Sequence, residues 1–131
     1  MADVVKAEIT RLADMELEAA IERFNLNHSD HESYAVLREE IEEAHEEMIN
    51  VEYLSGRLWD LTKNNASPEA KREVYTNIYN TALNLAVEAI QTAAMARKGI
   101  LSNIEIYKES NKAEALEEAA KRQQAEKGGG E

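Results

Sequence analysis

The chain contains no cysteine. Neither a disulfide framework nor a thiolate metal site is therefore open to it. One proline and five glycines leave few interruptions of regular backbone. Aromatic residues make up only 5%. No run of about 18 apolar residues occurs, so no helix that spans a membrane is expected. The opening "MADVVKAEITRLAD" carries acids from its third residue on and has no apolar signal core, which points to a cytoplasmic protein. Positive charge is also short: 15 basic residues face 26 acidic ones, for a formal net charge of -11. A nucleic acid polymer, which needs a basic face, is not an expected partner. A small phosphate-bearing ligand stays open, because Mg²⁺ mediates between carboxylates and phosphates.

What the chain does have is apolar residues at helical period over long windows, and nothing that alternates like a strand. The fold class is all-α. Residues 3–25 read as a first helix, with Val5, Ile9, Leu12 and Ala19 on one face and Met15 and Ala20 at its edges. "NLNHSD" breaks it. Ser29 followed by Glu32 is a capping-box pattern, so a second helix begins there. In it, Leu37, Ile41, Ala44, Met48 and Val51 form a seam that continues through Leu54, Leu58 and Leu61, with Gly56 a place for a kink. "KNNASPEA" ends this helix and starts a third, with Ser67 as cap and Pro68 in the first turn. The third helix runs at least to Arg97. Gly99 is expected to end or bend it.

Beyond residue 111 the chain reads as a solvated helix or a frayed tail, and "GGGE" as disordered. Three parts follow: an N-terminal helix over 1–27, a helical core over 28–110 and a charged tail over 111–131. From 82 to 96 the third helix is apolar nearly all round. Three helices cannot easily cover such a segment, so the expected architecture is a long-helix bundle completed by oligomerisation, as a dimer or tetramer.

Three polar residues interrupt that apolar segment, and helical spacing aligns them: Asn84, Glu88 and Gln91 in "NLAVEAIQTAAMA". A carboxylate on a buried helix needs compensation. "LREEIEEAHEE" in the second helix offers a partner stripe. With the Leu37/Ile41/Ala44/Met48 seam as core direction, Glu39, Glu42 and Glu46 point away, while Glu40, Glu43 and Glu47 lie beside the seam. Glu88 facing Glu40 and Glu43 would bring like charges together and raise at least one pKa. A divalent cation relieves that conflict, and an oxygen-only ligand set favours Mg²⁺ or Mn²⁺. The plainer alternative is an acid-rich helix with a solvated face.

"EEIEE" at 39–43 resembles the EExxE motif of the MazG-like, all-α nucleoside triphosphate pyrophosphohydrolases. "SYAVLREEIEEAHEE" together with "AVEAIQTAAMARK" is most similar to the short phage-encoded MazG-like proteins. The resemblance covers roughly residues 28–101. It implies a dimeric or tetrameric helical bundle that releases pyrophosphate from a nucleoside triphosphate with Mg²⁺. On that resemblance Glu40 and Glu43 are metal ligands from the first motif, and Glu88 is the glutamate of the second motif, ExxD. The second motif reads "EAIQ" here, so Gln91 stands in the aspartate position, where it can offer a carbonyl but no charge. The spacing between the motifs is also longer than in the family.

Smaller signals extend the stripe. Asn77, Asn80 and Asn84 lie toward the start of the third helix, as base contacts or as interhelical hydrogen-bonding groups. Lys98, seven residues after Gln91, is a candidate phosphate contact, or a solvated lysine at a helix end. Glu47 or Glu39 is a candidate for positioning the attacking water. His28, His31 and His45 read as surface histidines. Tyr53, Trp59, Tyr75 and Tyr79 suit packing at a core or interface, or stacking on a base.

Two functions of different class remain: an Mg²⁺-dependent pyrophosphohydrolase, or a non-catalytic oligomer that binds or sequesters a nucleotide or nucleotide-derived signal. A phage-encoded protein of the second kind would act in the host cytoplasm against host nucleotide signalling. A third, an acidic helical interaction protein, needs no small ligand.

Overall fold

The computed structural model describes residues 2–128 and is helical throughout: α1 (Ala2–Phe24), α2 (Asp30–Lys63) and α3 (Pro68–Gly128). The local signals act where expected. Ser29 Oγ accepts a hydrogen bond from the Glu32 amide at 3.1 Å. Glu32 returns the favour one residue early, accepting the His28 amide at 2.9 Å. Ser67 Oγ accepts from the Ala70 amide at 3.1 Å, with Pro68 opening α3. Asn25 and Asn65 turn the chain with positive φ, a conformation asparagine tolerates.

α2 and α3 form a long antiparallel hairpin, and α1 lies parallel to α3 and packs on α3 alone. The α1–α2 elbow is fastened to α3 by buried polar contacts. Ser102 Oγ accepts the Asn27 amide at 2.9 Å, and Asn27 Nδ2 donates to Ser33 Oγ at 2.8 Å. Nearby, Asn103 Nδ2 donates to Asp30 Oδ1 at 3.2 Å. Ser102→Ala would strand the buried Asn27 amide. The expected cost is about 1–3 kcal/mol, read as a lower denaturation midpoint.

The structure departs from the sequence expectations at two points. α3 runs through Gly99 without ending, because a Cβ-free position in a helix interior only weakens it. After residue 111 the solvated-helix alternative holds: α3 continues to Gly128, exposed over 111–126, and residues 129–131 of "GGGE" lie outside the described residues. Second, the face of α2 turned to α3 is rotated from the seam. Val36, Leu37, Glu40, Ala44, Glu47, Val51, Leu54, Leu58 and Leu61 are half-buried, while Ile41 and Met48 stay 40% and 42% exposed. As expected of three helices, the segment 82–96 is not covered within one chain. Leu83 and Val87 are about half exposed and only Ala94 is buried, because α1 and α2 reach only part of its circumference.

Among the described residues, Leu17, Val74 and Ala94 are the only buried apolar side chains. The chain exposes 10276 Å², against about 6,900 Å² for a compact monomer of this size. Its tyrosines and tryptophan share in this: Tyr53, Trp59, Tyr75 and Tyr79 are all exposed.

Candidate functional site

The rotation of α2 has a chemical consequence. It puts Glu40 and Glu47 in the row facing α3, at positions where an interhelical seam ordinarily takes apolar side chains. Glu88 answers from α3. One carboxylate oxygen each from Glu40, Glu43 and Glu88 lie within 4.8 Å of one another. No other cluster of acids or histidines close enough to hold a metal occurs among the described residues, and His28, His31 and His45 are exposed.

In the same residues, Glu40 Oε2 and Glu88 Oε2 are buried and have no hydrogen-bond partner. A buried, unpaired carboxylate oxygen is costly. Desolvation raises the pKa of Glu88, and so do a hydrogen bond to Glu43, which requires a shared proton, and the charges of Glu43 and Glu47. Desolvation is also the largest cause at Glu40, followed by the charges of Glu43, Glu88, Glu39 and Glu16. Both carboxyls therefore hold protons in the fold at a pH where they would lose them in the unfolded chain. Their contribution to stability is largest below the ordinary value of 4.5 and is lost as pH rises through the raised folded values. With chelator present, the melting temperature should be higher at pH 5 than at pH 8. Glu88→Gln should flatten that slope.

Beside the trio is a cleft of about 490 Å³ between α1 and α2, floored by α3. Glu40 belongs to both trio and cleft. Glu39 lines the α2 wall, and Gln91 and Lys98 lie on the floor. Glu47 is half-buried on the Glu88 side of the trio. The structure thus gathers Glu39, Glu40, Glu43, Glu47, Glu88, Gln91 and Lys98 in one region. The asparagines fall elsewhere: Asn80 lines a separate hollow with Asn77 and Tyr53, and Asn84 is exposed on α3.

Lys98 is not a solvated helix-end lysine. It sits mid-helix at 4% exposure, with its Nζ 5.9 Å from the centroid of the Phe24 ring. The α1 wall, which the motifs did not touch, supplies Glu16, Arg23 and Phe24. Nothing in the local sequence of α1 marks those residues, because their role depends on where the elbow docks.

No family model, no curated protein and no solved structure matches this chain.

Proposed function

We propose that this protein is a divalent-cation-dependent nucleoside triphosphate pyrophosphohydrolase that works as a homo-oligomer. The observation that carries the reading is the trio of Glu40, Glu43 and Glu88, with two buried unpartnered oxygens, at the edge of a cleft of nucleotide size. Its likeness to the MazG-like motifs supports the same chemistry. The donor set fits Mg²⁺ or Mn²⁺: all ligands are oxygens, and the two orphaned atoms gain a partner. Such an ion neutralises phosphate charge and acidifies a bound water.

The side chains divide the remaining work. Glu40, Glu43 and Glu88 hold the cation. Glu47, near Glu88, or Glu39, on the cleft wall, would orient the attacking water and take its proton. The water oxygen bonds to the α-phosphorus, the bond to the bridging oxygen breaks, and pyrophosphate leaves with the electron pair. Lys98 on the cleft floor faces the phosphates as a fixed positive charge.

One observation favours the second reading, a binder that sequesters a nucleotide or nucleotide-derived signal. Gln91 lines the cleft where a fourth carboxylate would complete the motif, so the site is one charge short. Incubation with a nucleotide panel and Mg²⁺ separates the two. Monophosphate and pyrophosphate are expected products. Bound nucleotide recovered intact across the panel would leave the binder, and no binding at all would defeat both.

The oligomer rests on uncovered apolar surface. Ile41, Met48 and Ile49 on α2 and Leu83, Val87 and Ile100 on α3 are all exposed. A second copy is the occupant that their helical pattern suits.

A further inference from the structure

The cleft is electrically divided. Toward the trio its wall carries Glu39 and Glu40. At its other end two cations gather about one aromatic ring: the Arg23 guanidinium carbon is 5.0 Å and Lys98 Nζ 5.9 Å from the Phe24 centroid. In a chain of net charge -11 such a pairing of cations is uncommon. Lys98 is 4% exposed, yet among the described residues it makes no hydrogen bond and no carboxylate comes within salt-bridge distance of it. Glu32, which also lines the cleft, is engaged with the His28 amide. The Lys98 stem is buried between α1 and α3, while its Nζ is not among the buried unpartnered atoms and opens to the cleft, where one ring face is a weak partner for a cation.

We infer that Arg23 of α1 and Lys98 of α3 form an anion clamp that holds the phosphate chain of the ligand at the end of the cleft away from the carboxylates. The inference rests on the proposed nucleotide function and extends it to α1, a helix that lies outside the MazG-like resemblance. The clamp and the trio work in series. Ten residues of α3, about 15 Å, separate Glu88 from Lys98. Side chains reach inward from both ends, and an anionic chain between them would meet the clamp's positive charge directly and the carboxylates through the bound cation. The clamp also gives α1 a task. α1 touches α3 but not α2, so Arg23 is the contact through which it grips a ligand lying between them.

The test uses inorganic tripolyphosphate, which has the phosphate chain and no base, with and without Mn²⁺, on the full chain. Calorimetry should show binding to the wild type, weakened at least ~10-fold in Arg23→Gln and in Lys98→Met. Lys98→Met keeps the buried stem, and Arg23 is exposed, so Arg23→Gln serves even where the first variant folds poorly. Lys112→Gln, on the exposed end of α3, removes the same charge and should bind as the wild type does. Mn²⁺ affinity should be kept in Arg23→Gln. Equal tripolyphosphate binding in wild type and both clamp variants, or an equal loss in Lys112→Gln, would overturn the clamp. So would a wild type that binds nucleotides but not tripolyphosphate. Failure of the metal reading looks different: tripolyphosphate binding that depends on Arg23 and Lys98 while Mn²⁺ does not bind would support the clamp and defeat the metal site.

Discussion

Glu88→Gln is expected to stabilise the metal-free protein and to abolish its response to metal. Glu88 carries a buried oxygen with no partner, in contact with another carboxylate. The amide removes a charge whose burial is penalised, and its NH₂ can donate to Glu43. At pH 8 with chelator, the variant should therefore melt above the wild type. Saturating Mn²⁺ reverses the order. A cation bound only by the folded state, at a hundred times its dissociation constant, contributes about 2.7 kcal/mol. For a chain of this length that is a rise on the order of 10 °C in the wild type. The variant should show little of it, and turnover of any nucleotide should fall about 100-fold or more. A wild type and variant with equal metal response would mean that the carboxylates only repel one another.

The second large effect concerns assembly. The chain exposes roughly 3,300 Å² more than a compact monomer of its size, partly along the free end of α3. A standard interface takes about 800 Å² from each partner, so the excess is enough for more than one. With three buried apolar residues among those described, the single chain has almost no core of its own. Light scattering at micromolar concentration should give a multiple of the monomer mass, and the melting temperature should rise with protein concentration. Val87→Glu puts a charge on the uncovered face of α3. It should shift the mass toward monomer and lower the melting temperature by more than about 10 °C, since a charge buried at an interface without a partner costs several kcal/mol. A wild-type monomer with melting independent of concentration would contradict the bundle.

The helices were legible because their signals are local. Ser29 and Ser67 each satisfy an amide three residues on, and the spacing of apolar residues sets the period. The meeting of Glu40, Glu43 and Glu88 was legible for a related reason, since two stripes on antiparallel helices converge once one register is right. The rotation of α2 was not legible. Ile41 and Met48 look like core from their spacing alone, and only the docking of α3 decides which row faces inward. Lys98 is legible in the sequence as a candidate contact, but its burial is not. Its burial comes from α1, seventy-odd residues away in the chain, and no periodicity carries that information. Arg23 and Phe24 went unnoticed for the same cause.

The central claim is that three glutamates from two helices form one cation site, and the separation of faces on α2 tests it most directly. Glu40 and Glu43 belong to the trio, whereas Glu42 pairs with Arg38 at 3.0 Å in an exposed ion pair. All three variants to glutamine change the charge by the same amount. Titration of Mn²⁺ into each should show binding lost in Glu40→Gln and Glu43→Gln and kept in Glu42→Gln. Equal affinity in all three, or an equal fall in all three, would show that the cation senses only the total charge of the helix and that no site exists.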